Sequence, residues 1–206
     1  MVANAVVHVI DDDESVRHAL AFLLATSGVA VQVHESGTAF LDTIGDLQGG
    51  CILTDIRMPG IDGLALQRRL TELGIKLPVI VMTGHGDVPL AVEAMKAGAV
   101  DFIEKPFDDS VLLAAIRSAL DRYNEQGRRE SEMAQINAKL ETLSVRERQV
   151  LDGLIAGRPN KTIAYDLDIS PRTVEIHRAN VMTKMGAGSL SELIRMALQA
   201  GLIPAK

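Results

Sequence analysis

The first 120 residues alternate between short apolar runs and stretches with helical spacing, and this alternation constrains the fold more than any other feature of the chain. Residues 6–10, 29–34, 51–54, 79–82 and 100–103 are brief and rich in β-branched or aliphatic side chains. Between them, residues 15–26 carry Val16, Leu20, Leu23 and Leu24 at helical intervals, and residues 64–73 and 89–96 read as helices, the latter stopped by Gly98. A further helix begins near Asp109. Apolar strands alternating with helices predict a doubly wound α/β domain: a parallel sheet covered on both faces by helices. Such sheets place their ligands beyond the carboxyl ends of the strands.

Composition supports a folded core, with hydrophobic residues at 47% of the chain. Aromatics are only 3%, with no Trp, so the core must be built from Leu, Val, Ile, Ala and Met. Cys51 stands alone in an apolar run, which excludes an internal disulfide and reads as a small buried hydrophobe. No apolar run approaches the roughly 18 residues of a membrane span. Residues 1–5 lack the basic start of a signal peptide, and a cytoplasmic protein with no membrane partner is expected. The net charge of −6 is uneven. Residues 1–120 hold 8 Lys and Arg against 16 Asp and Glu, whereas residues 121–206 hold 13 against 11. An acidic front and a mildly basic back suggest different partners for the two halves.

Four strand ends carry reactive groups: Asp11-Asp12-Asp13, Asp55, Thr83, and Lys105-Pro106. Any one of them is ordinary: an acidic run is usually a turn or cap, and a lone Lys is usually on the surface. Together on one rim they suit one chemistry. Clustered carboxylates suit Mg²⁺, a hard cation with a preference for oxygen ligands. A central carboxylate can attack phosphorus and become an aspartyl phosphate. A hydroxyl and an ammonium can hold the remaining phosphoryl oxygens.

The segments Val-Ile-Asp-Asp-Asp (9–13), Leu-Thr-Asp-Ile-Arg-Met-Pro-Gly-Ile-Asp-Gly (53–63), Val-Met-Thr-Gly-His-Gly-Asp (81–87) and Asp-Phe-Ile-Glu-Lys-Pro-Phe (101–107) resemble the receiver domain of two-component response regulators. Within that family the resemblance is to the FixJ type. It implies a flavodoxin-like, five-stranded parallel sheet of order 2-1-3-4-5. Asp55 becomes the phosphoacceptor, and Asp11, Asp12 and the backbone carbonyl of Arg57 join it around Mg²⁺. Thr83 and Lys105 contact the phosphoryl group, and the Lys105–Pro106 bond is cis. Phe102 takes the position of the switch aromatic, although its place in an alternating strand would by itself suggest a plain core residue. Asp13 reads as a helix cap more than a ligand. Arg57 and His85 flank the pocket, at positions that tune phosphate lifetime in the family.

The back half shows no strand pattern. The apolar period continues through Leu112, Leu113, Ile116, Leu120 and Tyr123, crosses a charged stretch containing Gly127, and resumes at Met133, Ile136, Leu140 and Leu143. It reads as a long helix, either a coiled-coil signal transmitter or a solvated spacer. Ser144-x-x-Glu147 is a capping box, and Asn160 and Ser170 also read as N-caps, with Pro171 suited to a first turn. Short helices over 160–167 and 170–185 with a tight turn between them fit a helix-turn-helix. On the second, Val174, His177 or Arg178, Val181 and Met185 share the core face. Thr173, Glu175, Ile176, Ala179 and Thr183 face away, toward a groove if DNA is bound. Lys161, Arg172, Arg178 and Lys184 are placed to meet phosphates. His177 reads as a packing residue or a phosphate hydrogen-bond donor. The segments Leu-Ser-Val-Arg-Glu-Arg-Gln-Val-Leu (143–151), Gly-Arg-Pro-Asn-Lys-Thr-Ile-Ala (157–164) and Ile-Ser-Pro-Arg-Thr-Val-Glu-Ile-His-Arg (169–178) resemble the LuxR-type helix-turn-helix domain.

The expected organisation is a receiver over residues 1–120, a helical linker over 121–139 and an all-α DNA-binding domain over 140–206. The expected function is a phosphorylation-activated transcriptional regulator. A sensor histidine kinase would phosphorylate Asp55, Thr83 and Phe102 would relay the change, and receivers would form a homodimer through a face including Val92 and Lys96. Promoter DNA, as a double helix, would be the target and RNA polymerase a further contact. The resemblance implies control of nitrogen-fixation or microaerobic genes; the same layout also serves other signals. The chain is not expected to be an enzyme beyond accepting, and slowly hydrolysing, its own aspartyl phosphate. A haloacid-dehalogenase-type phosphatase is the rival reading, but Arg57 stands where that chemistry needs a second acid and no cap insertion appears. A receiver serving only as a protein-interaction module is another rival.

Overall fold

The computed structural model describes residues 5–84 and 88–202. They fall into two compact units, divided between Gln126 and Gly127. The first unit is a five-stranded parallel sheet, in spatial order β2-β1-β3-β4-β5. Its strands are β1 (Val6–Ile10), β2 (Ala30–His34), β3 (Gly50–Asp55), β4 (Val79–Thr83) and β5 (Asp101–Glu104). The intervening helices are α1 (Glu14–Thr26), α2 (Gly37–Leu41), α3 (Gly63–Glu72) and α4 (Val88–Lys96), and α5 spans Asp109–Glu141.

Strands β1, β3 and β4 are buried along their whole length, which explains why their sequences are largely apolar. Their side chains still alternate between faces. Val7, Val9, Cys51, Leu53, Ile80 and Met82 pack with Leu20 and Leu24 of α1 and Leu112 and Ile116 of α5. Ile10, Ile52 and Val81 turn the other way, toward Phe40, Leu66, Leu70 and Ala94. Each such large aliphatic side chain contributes about 1.5–3 kcal/mol when fully buried. The Cys51 thiol is buried and its pKa is pushed up to about 12 by loss of water, so it stays protonated and inert.

Helix α2 was not legible as a periodic segment because it has five residues. Its signal was the cap: the Ser36 side chain accepts from the Ala39 backbone N–H at 3.1 Å. Asp13 caps α1, accepting from Ser15 N–H at 2.8 Å and Val16 N–H at 3.4 Å. These backbone donors lower its pKa.

The second unit is helical: the end of α5, then α6 (Val145–Ile155), α7 (Asn160–Asp166), α8 (Pro171–Met185) and α9 (Leu190–Gln199). Its core joins Val150, Leu151, Ile163, Val174, Val181, Met185 and Leu193. Ile136 and Leu140 of α5 are buried in the same core. Ile136 falls within the segment expected to be linker, so its apolar spacing reflects packing inside this unit. The helix includes Gly127 without interruption. Among the described residues, no helix is long and apolar enough to cross a membrane.

Two caps of the second unit behave as the sequence suggests and one does not. Ser144 and Glu147 form the reciprocal capping box, and Ser170 caps α8 with Pro171 in its first turn. Asn160, expected as a cap, is instead the first residue of α7; Pro159 precedes it and offers no side-chain oxygen. Asp168, in the turn before α8, has φ of 52°. Short polar residues tolerate that left-handed conformation better than apolar ones.

Candidate acidic pocket and nucleic-acid interface

The sheet register brings the carboxyl ends of the strands together. Ile10 pairs with Thr54, Asp55 with Met82, and Thr83 with Glu104, so Asp11, Asp55, Thr83 and Lys105 emerge on one rim. Asp11, Asp55 and Thr83 are buried, whereas Asp12 is exposed. The Lys105 ammonium is the hub: its Nζ lies 2.8 Å from Asp11 Oδ2 and 2.6 Å from Asp55 Oδ1. Burial works against the charge on Lys105, but the hydrogen bonds to Asp11 and Asp55 outweigh it and raise its pKa.

Backbone donors complete the arrangement. Asp55 Oδ2 accepts from Arg57 N–H at 2.8 Å, and Asp11 Oδ1 accepts from Asp13 N–H at 2.9 Å. The Lys105 N–H donates to the Thr83 carbonyl at 2.7 Å, tying the last two strand ends together. The Lys105–Pro106 bond is cis. Asp12 and Arg57 line an open cavity of about 500 Å³ with Asp62 and the apolar side chains of Ile56, Met58 and Leu90. His85 lies outside the described residues.

Gly63 fixes the strand end that bears Asp55. A Cβ there would meet the Asp55 carbonyl oxygen at 2.5 Å and Ile56 Cα at 3.0 Å, both backbone atoms. Gly63→Ala is therefore expected to displace Asp55 and to cost about 1–3 kcal/mol of stability through overpacking. Thermal melts of the intact chain beside the variant check this expectation.

Phe102 is 47% exposed, so it is not the core residue its strand position allowed. Val92 and Lys96 are also exposed on α4. Sequence reading missed Met95, a third large apolar side chain exposed on the α4 and β5 elements. Its signal was its place three residues after Val92, one turn along the same helix.

On α8 the buried residues are Val174, Val181 and Met185, which leaves the opposite face free. Arg172, Glu175, Ile176, Ala179 and Thr183 are exposed, Arg178 is half-buried, and Lys161 is exposed on α7. Ile176 is 55% exposed despite being wholly apolar. Thr173 is half-buried and its hydroxyl is 2.8 Å from Ser170 Oγ, so it serves the helix cap. His177 is half-buried and its Nδ1 is enclosed without a hydrogen-bond partner.

Lys184 does not present its charge outward as expected. Its Nζ donates to Glu147 Oε2 at 2.7 Å and to the Thr142 carbonyl at 3.1 Å. The long stem swings the ammonium back to satisfy a buried carboxylate, an outcome its position on the helix could not reveal. The Glu147 pKa is lowered to about 2, by the Lys184 hydrogen bond and then by the Ser144 backbone N–H. Its folded value lies below the ordinary 4.5, so its contribution to stability is complete above about pH 4.5 and is lost as pH falls toward 2. Melting temperatures of the intact chain and of Glu147→Gln are expected to diverge above pH 4.5 and to converge as pH approaches 2.

Residues 7–117 match the family described as response regulator receiver domain, and residues 141–197 match the bacterial regulatory proteins of the luxR family. The transcriptional regulatory protein FixJ of Azorhizobium caulinodans is 62% identical over 97% of this chain and 94% of its own length. Full-length FixJ from B. japonicum superposes with a TM-score of 0.62 at 52% identity, covering 97% of this chain and 98% of that one. The response regulator StyR superposes with a TM-score of 0.83 at 39% identity, covering 96% and 100%. The chain thus belongs to the FixJ type of response regulators, two-component transcriptional regulators in which a receiver precedes a LuxR-type DNA-binding domain.

Proposed function

We propose that Asp55 accepts a phosphoryl group from a sensor histidine kinase and that this modification drives receiver dimerisation and promoter binding. The observation that carries the reading is the single ammonium of Lys105 shared by the Asp11 and Asp55 carboxylates. An acidic nucleophile beside a fixed cation is what phosphoryl transfer to a carboxylate requires, because an anionic donor must approach an anionic acceptor.

Among the described residues, no three His, Cys, Asp or Glu side chains form a ready-made metal cage. Mg²⁺ does not need one: it is commonly held by one or two carboxylates, with water and phosphate oxygens completing six positions. Asp11 and Asp55, already drawn to one cation, and Asp12 beside the open cavity fit that donor set, with the Arg57 carbonyl as a further oxygen. When bound, Mg²⁺ supplies neutralisation of the charge that builds on the phosphoryl oxygens. An oxygen of Asp55 forms the bond to phosphorus as the P–N bond of the phosphohistidine donor breaks, and the nitrogen keeps the electron pair. Lys105 moves from Asp55 Oδ1 to a phosphoryl oxygen, and the Thr83 hydroxyl donates to another. Slow attack by water on the same phosphorus then returns Asp55 to its free carboxylate.

The receiver surface suits the next step. Val92, Met95 and Phe102 expose apolar area on α4 and β5, and inward rotation of Phe102 would reshape that face as Thr83 follows the phosphoryl group. Two receivers joined there, with Lys96 at the contact, would bring two α8 helices to two half-sites. Doubling the contacts matters because the DNA-binding half has little net positive charge. Arg172, Arg178 and Lys161 would hold phosphates, Thr173 would lie near the backbone, and Glu175, Ile176 and Ala179 would meet base edges. The likeness to FixJ proteins supports control of nitrogen-fixation or microaerobic genes, with RNA polymerase as the downstream contact.

The test is intact-mass analysis after incubation with Mg²⁺ and acetyl phosphate. The wild type is expected to gain one phosphoryl group and Asp55→Asn none. Equal labelling of the two proteins, or none of the wild type, contradicts the assignment.

A further inference from the structure

Asp11 is held from four directions. Its carboxylate accepts from Lys105 and from the Asp13 N–H, and its own N–H donates to the His34 carbonyl at 3.3 Å. The fourth contact comes from α1: Arg17 Nη1 donates to the Asp11 carbonyl oxygen at 2.7 Å. Arg17 is half-buried, one turn beyond the Asp13 cap, and its own N–H donates to the Asp13 carbonyl at 3.0 Å. Its backbone position and its side-chain reach are therefore both fixed against the acidic segment.

The carbonyl that Arg17 grips belongs to the peptide joining Asp11 to Asp12. A peptide is planar, so holding its oxygen fixes the plane and with it the departure of the Asp12 Cα. Asp12 depends on that plane. Its carboxylate is exposed, and among the described residues it has no hydrogen bond of its own. The direction of the Asp12 side chain is thus inherited from a backbone that Arg17 pins. A charge-assisted bond at 2.7 Å is short for N–H···O, as expected for a guanidinium donor.

We infer that Arg17 is a positioning residue for cation binding by Asp11 and Asp12: it orients the peptide that carries both carboxylates. The inference rests on the reading of the pocket as a Mg²⁺ site. Its sign separates it from a plain electrostatic effect. A guanidinium near a cation site repels the ion, so if charge alone mattered, removing Arg17 would tighten Mg²⁺ binding. If positioning matters, removal weakens it. Partners that orient metal ligands typically change affinity by roughly ten- to a hundredfold.

The experiment is calorimetric titration of the full unphosphorylated chain with MgCl₂ alone, for the wild type, Arg17→Met and Arg17→Lys. Met keeps an unbranched stem of similar length and removes every donor. Lys retains a cationic donor with a shorter reach. Far-ultraviolet dichroism and a melt without Mg²⁺ establish that each variant is folded. The expected result is at least tenfold weaker binding in Arg17→Met and partial recovery in Arg17→Lys. Unchanged or tighter binding in Arg17→Met overturns the positioning role and leaves the pocket assignment standing. Absence of Mg²⁺ binding by the wild type overturns both. Should Arg17→Met be unfolded, Arg17→Lys decides: binding equal to the wild type contradicts a role that depends on guanidinium reach, and binding several-fold weaker supports it.

Discussion

Lys105→Met will abolish the cation shared by Asp11 and Asp55, destabilise the receiver in the absence of Mg²⁺, and be rescued in stability but not in phosphoryl uptake when Mg²⁺ is added. The Asp11 side chain is 2% exposed and that of Asp55 is 12%, so neither carboxylate is well solvated once the ammonium at 2.8 and 2.6 Å is gone. Breaking a fully buried pair from one side costs about 3–5 kcal/mol. Lys105 is 26% exposed, which calls for a discount, and a loss of about 2 kcal/mol is expected. A divalent ion between the carboxylates supplies the missing charge, so the melting temperature should climb with Mg²⁺ more steeply than in the wild type. Phosphoryl uptake should stay low because a donor to the transferring oxygens is absent; loss of one such donor costs on the order of a hundred- to a thousandfold. Melts of the intact chain across a Mg²⁺ series, with intact mass after acetyl phosphate, check both parts.

The second large effect lies in the DNA-binding unit, where α6 and α7 approach closely at Gly153. A Cβ there would stand 2.7 Å from Ile163 Cγ1 and 2.9 Å from its Cδ1. Carbon contacts are repulsive well outside those distances. Ile163 is 2% exposed and in the core, so it has little room to retreat. Gly153→Val should cost about 3 kcal/mol, at the upper end of what overpacking usually costs. The gain in helix propensity over Gly is only a few tenths of a kcal/mol and does not offset it. DNA binding should fall with the folded fraction, while Asp55 labelling stays near that of the wild type. Ile163→Ala should restore part of the lost stability in the double variant, because it removes the atoms that clash. A denaturation cycle over the four proteins measures that coupling.

Much of the receiver could be read from the chain because its physics is local. Strands β1, β3 and β4 are buried on both faces, so their sequences are largely apolar, and the acids that follow β1 and end β3 stood out. The gathering of Asp11, Asp55, Thr83 and Lys105 on one rim followed from the strand–helix alternation, whereas the order of the sheet came only with the resemblance to receiver domains. What escaped were features set by the reach of long side chains. Lys184 turns inward to Glu147, and Arg17 reaches back to the Asp11 carbonyl. Helical spacing gives the direction of a Cα–Cβ bond but not where a four-carbon stem or a guanidinium comes to rest. Ile136 escaped for a different reason. Its apolar spacing fits a coiled coil, a spacer or a packed helix equally, and only the neighbouring Val150, Leu151 and Ile163 decide among them.

On the proposed function, phosphorylation of Asp55 changes how receivers associate. Sedimentation velocity of the full chain with Mg²⁺, with and without acetyl phosphate, beside Asp55→Asn, tests it most directly. The expected result is a monomer-to-dimer shift in the wild type that requires both Mg²⁺ and the phosphoryl donor and is absent in Asp55→Asn. A wild type that carries the phosphoryl group by mass yet sediments unchanged would contradict it.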